Sequence, residues 1–142
     1  MQKYPHIDKK PNTEIDWFDA LWRLARYLRT EDGCPWDRGK TAQDFAGFAV
    51  EEAEELVEAC AENDNPHMEE EFGDSLFTLL ASAAAAEEEG RFTLHDALQR
   101  AHAKMIRRHD HVFGEEKADT SEEAMKAWMR VKAEEQRAKD EA

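Results

Sequence analysis

The sequence EFGDSLFTLLASAAAA, residues 71–86, predicts a long helix that is buried on most of its sides. Its last twelve residues carry no charge, although 37% of the chain is charged. The two acids at its start, Glu71 and Asp74, are three residues apart and therefore neighbours on one helix face. That face continues as Thr78, Ser82 and Ala85, a row of small residues that another helix can approach closely.

Helical patterns extend to both sides of this stretch, and no alternating strand pattern occurs. Prolines, glycines and polar clusters such as GCPWD (33–37) and NDNP (63–66) separate the helices. Short loops favour antiparallel neighbours, so the sequence predicts an all-α bundle of about five helices. We expect them over about 13–31, 41–62, 66–90, 93–108 and from 120 onward, with Thr13 and Asn65 as N-caps and a Thr120–Glu123 capping box.

The chain has 142 residues, which is enough for one domain. We expect an extended leader over 1–12, one domain over 13–135 and a charged tail over 136–142. Cys34 and Cys60 form no Cys-x-x-Cys pair, and neither a secretory signal nor an apolar span occurs. A cytoplasmic location and no membrane partner are therefore expected.

The negative charge is concentrated in one part of the chain. The net charge is −14, from 33 acidic and 19 basic residues, which argues against nucleic acid as a partner. No Lys or Arg occurs between Lys40 and Arg91, whereas that window holds 15 acids. A carboxylate buried in this window needs a partner, and no Lys or Arg is available nearby in the sequence to provide one.

The second predicted helix places one such carboxylate on its apolar face. At about 100° per residue, Glu52 falls within the apolar stripe and Glu55 lies at its edge. Three other acids, Glu51, Glu54 and Glu58, project toward solvent. Burying an unpaired carboxylate is costly. The apolar stripe consists of Phe45, Phe48, Ala49, Leu56, Ala59 and Cys60.

An antiparallel pairing of the second and third helices brings four acids together: Glu52, Glu55, Glu71 and Asp74. Hard oxygen ligands suit Mg²⁺ or Mn²⁺, which also bind substrate phosphates. The competing interpretation is a solvated acidic face, with acids in a first helical turn favoured by the helix dipole. That interpretation is the better one for Glu69 and Glu70.

Five motifs in order resemble the MazG-type nucleoside triphosphate pyrophosphohydrolases, over about residues 14–135. Fifteen residues separate Glu55 from Glu71, a spacing typical of the family pattern E-E-x-x-E followed by E-x-x-D. The chain is most similar to the N-terminal half of members that carry two such domains. The motifs are GCPWDRGKT (33–41), EEAEE (51–55), EFGD (71–74), EEEGRF (87–92) and KMIRRHDHVFG (104–114).

The resemblance implies an all-α fold that assembles as a homodimer or a dimer of dimers. It also implies Mg²⁺ held by Glu52, Glu55, Glu71 and Asp74, with Glu51 as a weaker candidate for orienting or deprotonating the attacking water. Water would attack the α-phosphate of a nucleoside triphosphate or deoxynucleoside triphosphate, giving monophosphate and pyrophosphate. Clearance of unwanted nucleotides is the role that the resemblance favours.

Basic residues on the fourth predicted helix form a candidate phosphate-binding stripe. A solvated face that forms surface ion pairs with the second and third predicted helices explains each of them equally well. On the fifth helix, Trp128 can stack on a base or anchor the helix, and Lys132 can reach a phosphate. Trp36 is more consistent with a loop plug than with a base platform. The stripe consists of Arg100, Lys104, Arg107 and Arg108.

Three other functions compete with this one. A di-iron carboxylate bundle is set aside because no Glu has His three residues later. An HD-type phosphohydrolase has only the weak dipeptides His95-Asp96 and His109-Asp110 in its favour. A non-enzymatic acidic helical dimer acting as a regulator or adaptor stays open.

Overall fold

The computed structural model describes residues 10–142, so most of the leader predicted over 1–12 lies outside the described residues. The all-α prediction is confirmed: within the described part, every regular element is a helix. Five long helices match the prediction, and two single-turn helices were not predicted. The helices are α1 (Glu14–Tyr27), α2 (Pro35–Arg38), α3 (Ala42–Ala61), α4 (Asn65–Glu88), α5 (Leu94–Arg108), α6 (Asp110–Phe113) and α7 (Ser121–Glu141).

Side-chain caps define most helix starts. Thr13 is confirmed as a cap and forms a full capping box with Asp16, and Thr41 forms another with Asp44. The predicted box at Thr120 is only half formed. Its hydroxyl accepts from the Glu123 N–H at 3.1 Å, but the Glu123 carboxylate accepts from Asp119 rather than from Thr120.

The start of α4 corrects the predicted cap at Asn65. Asp64 is the N-cap, and its carboxylate accepts a hydrogen bond from the His67 N–H at 3.1 Å. Asn65 is therefore the first helical residue and Pro66 the second. Proline is tolerated there because the first turn leaves its backbone donors without helical partners.

Helices α3 and α4 form an antiparallel pair, as expected. Near the start of α3, the Ala42 carbonyl accepts from the Ser82 hydroxyl at 2.8 Å, and the Ala42 N–H donates to Glu89 at 2.9 Å. Near its end, Cys60 lies 3.1 Å from Met68 at the start of α4. The alanines of α4 allow this close approach, and with Phe45 they form a buried cluster of Ala42, Phe45, Ala81, Ala85 and Ala86.

Three aromatic side chains, Trp36, Phe45 and Phe48, pack together at the start of α3. The Trp36 ring stacks on Phe48 at 5.7 Å and meets the edge of Phe45 at 6.0 Å. The Lys40 ammonium lies 5.1 Å from the Trp36 ring centre. Trp36 packs on this group as a loop plug would, yet 54% of it is exposed.

Helix α1 packs on α4, and Arg29 joins the ends of the two helices. Its guanidinium pairs with Glu88 and donates to the Asp37 carbonyl at 2.7 Å. Ala20 and Ala25 are buried on α1, whereas Ile15 at the other end of the helix is largely exposed.

The described chain divides into two compact units, the first of which ends at Leu94 and the second of which spans His95–Ala142. The second unit contains most of α5, together with α6 and α7. Ala127 and Val131 are its buried residues, and Arg130 pairs with Glu116, Asp110 and Glu134. Over the described residues, no helix combines the length and apolarity needed to cross a bilayer.

Replacing Gly47 by alanine should stabilise the protein. Gly47 lies inside α3, and a Cβ added there meets nothing within 4 Å. Alanine is favoured over glycine in a helix interior by about 0.8–1 kcal/mol, so thermal unfolding should show a higher Tm. Gly33→Ala is the control with the opposite sign, because its Cβ would clash with the Leu28 carbonyl oxygen. A lower Tm for Gly47→Ala would contradict the packing described for α3.

Candidate metal centre

Carboxylates from α3 and α4 meet where the second half of α3 passes the start of α4. One oxygen each from Glu52, Glu55 and Glu71 lies within 4.8 Å of the others, and the same holds for Glu70, Glu71 and Asp74. Glu71 belongs to both groups and is only 7% exposed. The antiparallel packing of the two helices thus brings acids that are far apart in sequence into one cluster.

Two oxygens of this cluster are buried without a hydrogen-bond partner among the described residues. They are Oε2 of Glu52 and Oε2 of Glu71. A carboxylate oxygen removed from water without a donor is costly, so the site favours whatever supplies positive charge there. A proton or a metal cation can do so.

The pKa of Glu52 reflects this environment and is raised to about 7. The largest cause is the neighbouring Glu71 carboxylate, which can hydrogen-bond with Glu52 only when one of the two carboxyls carries a proton. Burial and repulsion from the charges of Glu55, Glu71 and Asp74 raise the pKa further. The metal-free cluster therefore retains a proton near neutral pH.

His67 is a partner of the cluster that the sequence interpretation missed. Its Nε2 lies 3.2 Å from Oε1 of Glu71, one helical turn away on α4. The base-free window excludes Lys and Arg but not histidine, and the i, i+4 spacing of His67 and Glu71 was the available signal. This contact engages Oε1 of Glu71, whereas Oε2 is buried without a hydrogen-bond partner among the described residues.

The remaining acids of α3 fall as their helical positions predict. Glu51, Glu54 and Glu58 are exposed, whereas Glu52 is half-buried. Glu55 is exposed yet reaches the cluster, as expected for the edge of the stripe. Glu70 also reaches it, although its position in the first turns of α4 predicted a solvated side chain.

These residues fit a divalent cation. The donors are all carboxylate oxygens, which hard cations prefer, and two of the buried oxygens lack another partner. Several acids are exposed, so water and substrate oxygens have access to the same position. The structure therefore offers two overlapping groups of carboxylates that can hold such a cation, one of Glu52, Glu55 and Glu71 and one of Glu70, Glu71 and Asp74.

The pKa of Glu52 predicts that the metal-free protein loses stability as pH rises from about 4.5 to about 7. The folded state binds the proton more tightly than the unfolded state, for which the ordinary pKa is 4.5, so stability falls over this window and then levels off. In Glu52→Gln this loss should be absent. Relative to wild type, the variant should gain about 1–2 kcal/mol, after allowance for solvent screening, between pH 4.5 and pH 8.

Thermal unfolding of both proteins in chelator at the two pH values measures this difference. Excess Mg²⁺ at pH 8 should raise the Tm of wild type more than that of the variant. An equal difference between wild type and variant at the two pH values would contradict the raised pKa.

In the second unit, Arg107 and Arg108 converge on one acid, Glu135 of α7. The distances are 2.5 Å from Arg107 Nε and 2.9 Å from Arg108 Nη2. The hydrogen bonds from Arg108 and then Arg107 lower the pKa of Glu135 to about 2. The sequence left ion pairing open for these arginines, but with acids of the second and third predicted helices; the structure pairs both with an acid of the last helix instead.

Trp128 also has neighbours in this unit. The Arg108 guanidinium lies 5.2 Å from its ring centre, and the His109 ring meets it edge-on at 5.2 Å. Lys104 and Lys132 form no ion pair with another described residue. The two lysines are thus the residues of the predicted substrate-binding set whose charges are unpaired within the described chain.

The fold and the acidic cluster define an all-α protein with a carboxylate site suited to a divalent cation. Comparison with known families makes this more specific: the family model of the MazG nucleotide pyrophosphohydrolase domain matches residues 40–113, which include both acidic motifs. The chain belongs to this family, as its motifs indicated.

Relatives and a solved structure agree with this assignment. The chain is 38% identical over 118 residues to the nucleoside triphosphate pyrophosphohydrolase/pyrophosphatase MazG of Thermotoga maritima, covering 83% of this chain and 45% of that one. It is 38% identical over 122 residues to the nucleoside triphosphate pyrophosphohydrolase of Escherichia coli strain K12, covering 85% and 46%. It is 39% identical over 115 residues to the uncharacterized protein YabN of Bacillus subtilis, covering 81% and 24%.

The crystal structure of a MazG-related protein from Thermotoga maritima superimposes with a TM-score of 0.65 at 33% identity. The superposition covers 78% of this chain and 97% of the solved chain. The chain spans less than half of the length of the three relatives compared above.

Proposed function

We propose that this chain hydrolyses nucleoside triphosphates or deoxynucleoside triphosphates to the monophosphate and pyrophosphate, with Mg²⁺ as its cofactor and Mn²⁺ as a substitute. One observation carries the proposal. The α3–α4 cluster combines the acids of the family motif with two buried oxygens, on Glu52 and Glu71, that lack a partner among the described residues.

In this proposal the residues of the cluster have different roles. Glu52, Glu55, Glu71 and Asp74 hold the ion, and His67 keeps Glu71 in place. A bound divalent cation neutralises phosphate charge and lowers the pKa of water. Glu51 is exposed, and its proposed part in orienting or deprotonating the attacking water rests on its position in the motif alone.

The second unit supplies the proposed phosphate and base contacts. Lys104 and Lys132 are available to a polyphosphate as they stand. For Arg107 and Arg108, a phosphate has to compete with Glu135, so their contribution depends on an exchange of partners. Trp128 already has the Arg108 guanidinium near its face, and stacking on a base requires a similar exchange.

A homodimer or dimer of dimers belongs to the same proposal. Large apolar side chains are exposed on several helices, and no residue of α5 is buried. Large exposed apolar side chains are enriched at protein interfaces, so we propose that a second copy of the chain covers them. The exposed residues are Ile15, Val50, Val57, Phe72 and Leu79 in the first unit, and Leu98 and Met105 in the second.

Nucleotide clearance in the cytoplasm is the proposed physiological setting. A panel of common and modified nucleoside triphosphates, incubated with the protein and Mg²⁺, tests the activity by chromatography of the products. We expect equal amounts of monophosphate and pyrophosphate from at least one substrate, and none in chelator. If the whole panel stays intact and Mg²⁺ leaves the Tm unchanged, the chain is a non-catalytic member of its family, acting as a regulator or adaptor.

A further inference from the structure

A cavity lies between α1 and α4, at the opposite end of α4 from the acidic cluster. Its volume is about 690 Å³, within the range of small-molecule sites. Three arginines line it, Arg23, Arg26 and Arg29, together with Glu87 and Glu88 at the end of α4. At 1.5 Å per residue, Glu87 lies about 20 Å along α4 from Asp74, so this cavity is separate from the candidate metal centre.

We propose that this cavity is a second site for a phosphate-bearing anion, such as pyrophosphate or the phosphate group of a nucleotide. Arginine is the side chain best suited to phosphate, because its planar fork of N–H donors matches phosphate oxygens in pairs. Three guanidinium groups lie at i, i+3 and i+6 along α1 and the turn after it. The chain as a whole has a net charge of −14, which makes this local concentration of cations a specific feature.

The three arginines differ in how they are held, and the difference supports binding. The Arg29 side chain is held by Glu88 and the Asp37 carbonyl and is only 10% exposed. It is therefore an ordered part of the cavity lining. Arg26 lies 5.7 Å from the Trp22 ring centre. Its side chain makes no hydrogen bond or ion pair with another described residue, so the guanidinium donors are available to a ligand.

Arg23 is the third donor. Its contact with Asp19 at 2.9 Å is an exposed pair, which contributes little to stability and is easily exchanged. The acids of the lining are already engaged, since Glu88 pairs with Arg29 and Glu87 accepts a hydrogen bond from the Leu94 N–H. With Glu88 matched by Arg29, the guanidinium groups of Arg23 and Arg26 meet only Glu87, so the lining keeps a net positive charge. The cavity therefore fits an anion that carries a phosphate group.

Titration of the full chain with pyrophosphate in chelator tests the site, because neither metal nor turnover is involved. Calorimetry gives the affinity, and the side-chain Nε–H signals of arginine in NMR locate the anion. We expect saturable binding that shifts the signals of Arg23 and Arg26, and binding about tenfold weaker in Arg26→Gln. Arg91→Gln, an exposed arginine outside the cavity lining, is the control and should bind as wild type does.

The titration has clear contrary outcomes. Shifts confined to Arg107 and Arg108 would place the anion in the second unit and overturn the proposal. An equal loss of affinity in the Arg91 control would show that the anion binds through nonspecific electrostatic attraction, and this would overturn the proposal. The same signal shifts with chloride at matched ionic strength would overturn it for the same reason. Because the test contains no hydrolysis step, its result is independent of the proposed activity.

Discussion

Glu52→Gln and Asp74→Asn should each abolish nucleoside triphosphate turnover while the protein stays folded. Each change removes one anionic ligand from the cluster and preserves the shape of the side chain. We expect kcat to fall on the order of 10³-fold, equivalent to about 4 kcal/mol in the barrier, because the phosphate charge is then poorly neutralised. The substrate identified in the nucleotide panel, assayed for pyrophosphate release, gives this number.

Glu58→Gln is the matched control for Glu52→Gln. It makes the same chemical change on the same helix, but Glu58 is exposed and belongs to neither acidic group. Its activity should stay within about twofold of wild type, since surface substitutions away from a site have small effects. If Glu52→Gln and Asp74→Asn both keep full activity, the metal site is wrongly assigned. If Glu58→Gln is equally inactive, net charge rather than ligand geometry explains the loss.

Phe45→Ala should cost the protein about 3–5 kcal/mol of unfolding free energy, the usual range for a buried phenylalanine. Phe45 is 2% exposed and packs on Ala81, Ala85 and Ala86 of α4. Alanine leaves a cavity that the small neighbours cannot fill. Because this contact fixes α3 against α4, and hence Glu52 against Glu71, the variant should also bind Mg²⁺ more weakly.

Chemical denaturation measures the loss in Phe45→Ala, and calorimetric titration measures the change in Mg²⁺ affinity. Phe113→Ala removes the same side chain from a position that is 62% exposed, and a loss below about 1 kcal/mol is expected. Equal losses in the two variants would show that the contact between Phe45 and the alanines does not hold the helix pair together.

Local periodicity was sufficient to predict the long helices and the inward position of Glu52. The apolar stripe of α3 and the charge-free run of α4 both indicate burial, and the structure packs α4 against α3 and α1. Burial of the charge-free run on most of its sides was predicted too broadly, because Leu79 is 55% exposed. Caps such as Thr13 are also local, because donor and acceptor are three residues apart. These features need no knowledge of distant contacts.

Features that depend on distant or competing partners were not predicted. The pairing of Arg107 and Arg108 with Glu135 joins residues 27 or 28 apart, and nothing in the sequence selects that acid over its neighbours. At the start of α4, Asp64 and Asn65 are both good caps, and the structure selects Asp64. The single turns α2 and α6 are too short to show a helical period.

The exposed Ile15 shows a different limit of prediction from hydrophobic periodicity. Its spacing with the other apolar residues of α1 predicts a buried face, whereas the described chain leaves it 80% exposed. Periodicity identifies a face that avoids water, but it does not say whether the same chain or a second copy covers that face. Sedimentation of the protein at several concentrations distinguishes the two, and the proposed dimer predicts a mass of twice 16.4 kDa or more.

Hydrolysis in oxygen-18-labelled water with Mg²⁺ tests the proposed reaction most directly. Attack of water on the α-phosphate transfers one labelled oxygen to the nucleoside monophosphate and leaves pyrophosphate unlabelled, and mass spectrometry of the two products distinguishes them. We expect the label in the monophosphate only, and no reaction in chelator. Label in pyrophosphate, or release of orthophosphate with a nucleoside diphosphate, would contradict a pyrophosphohydrolase built on the α3–α4 carboxylates.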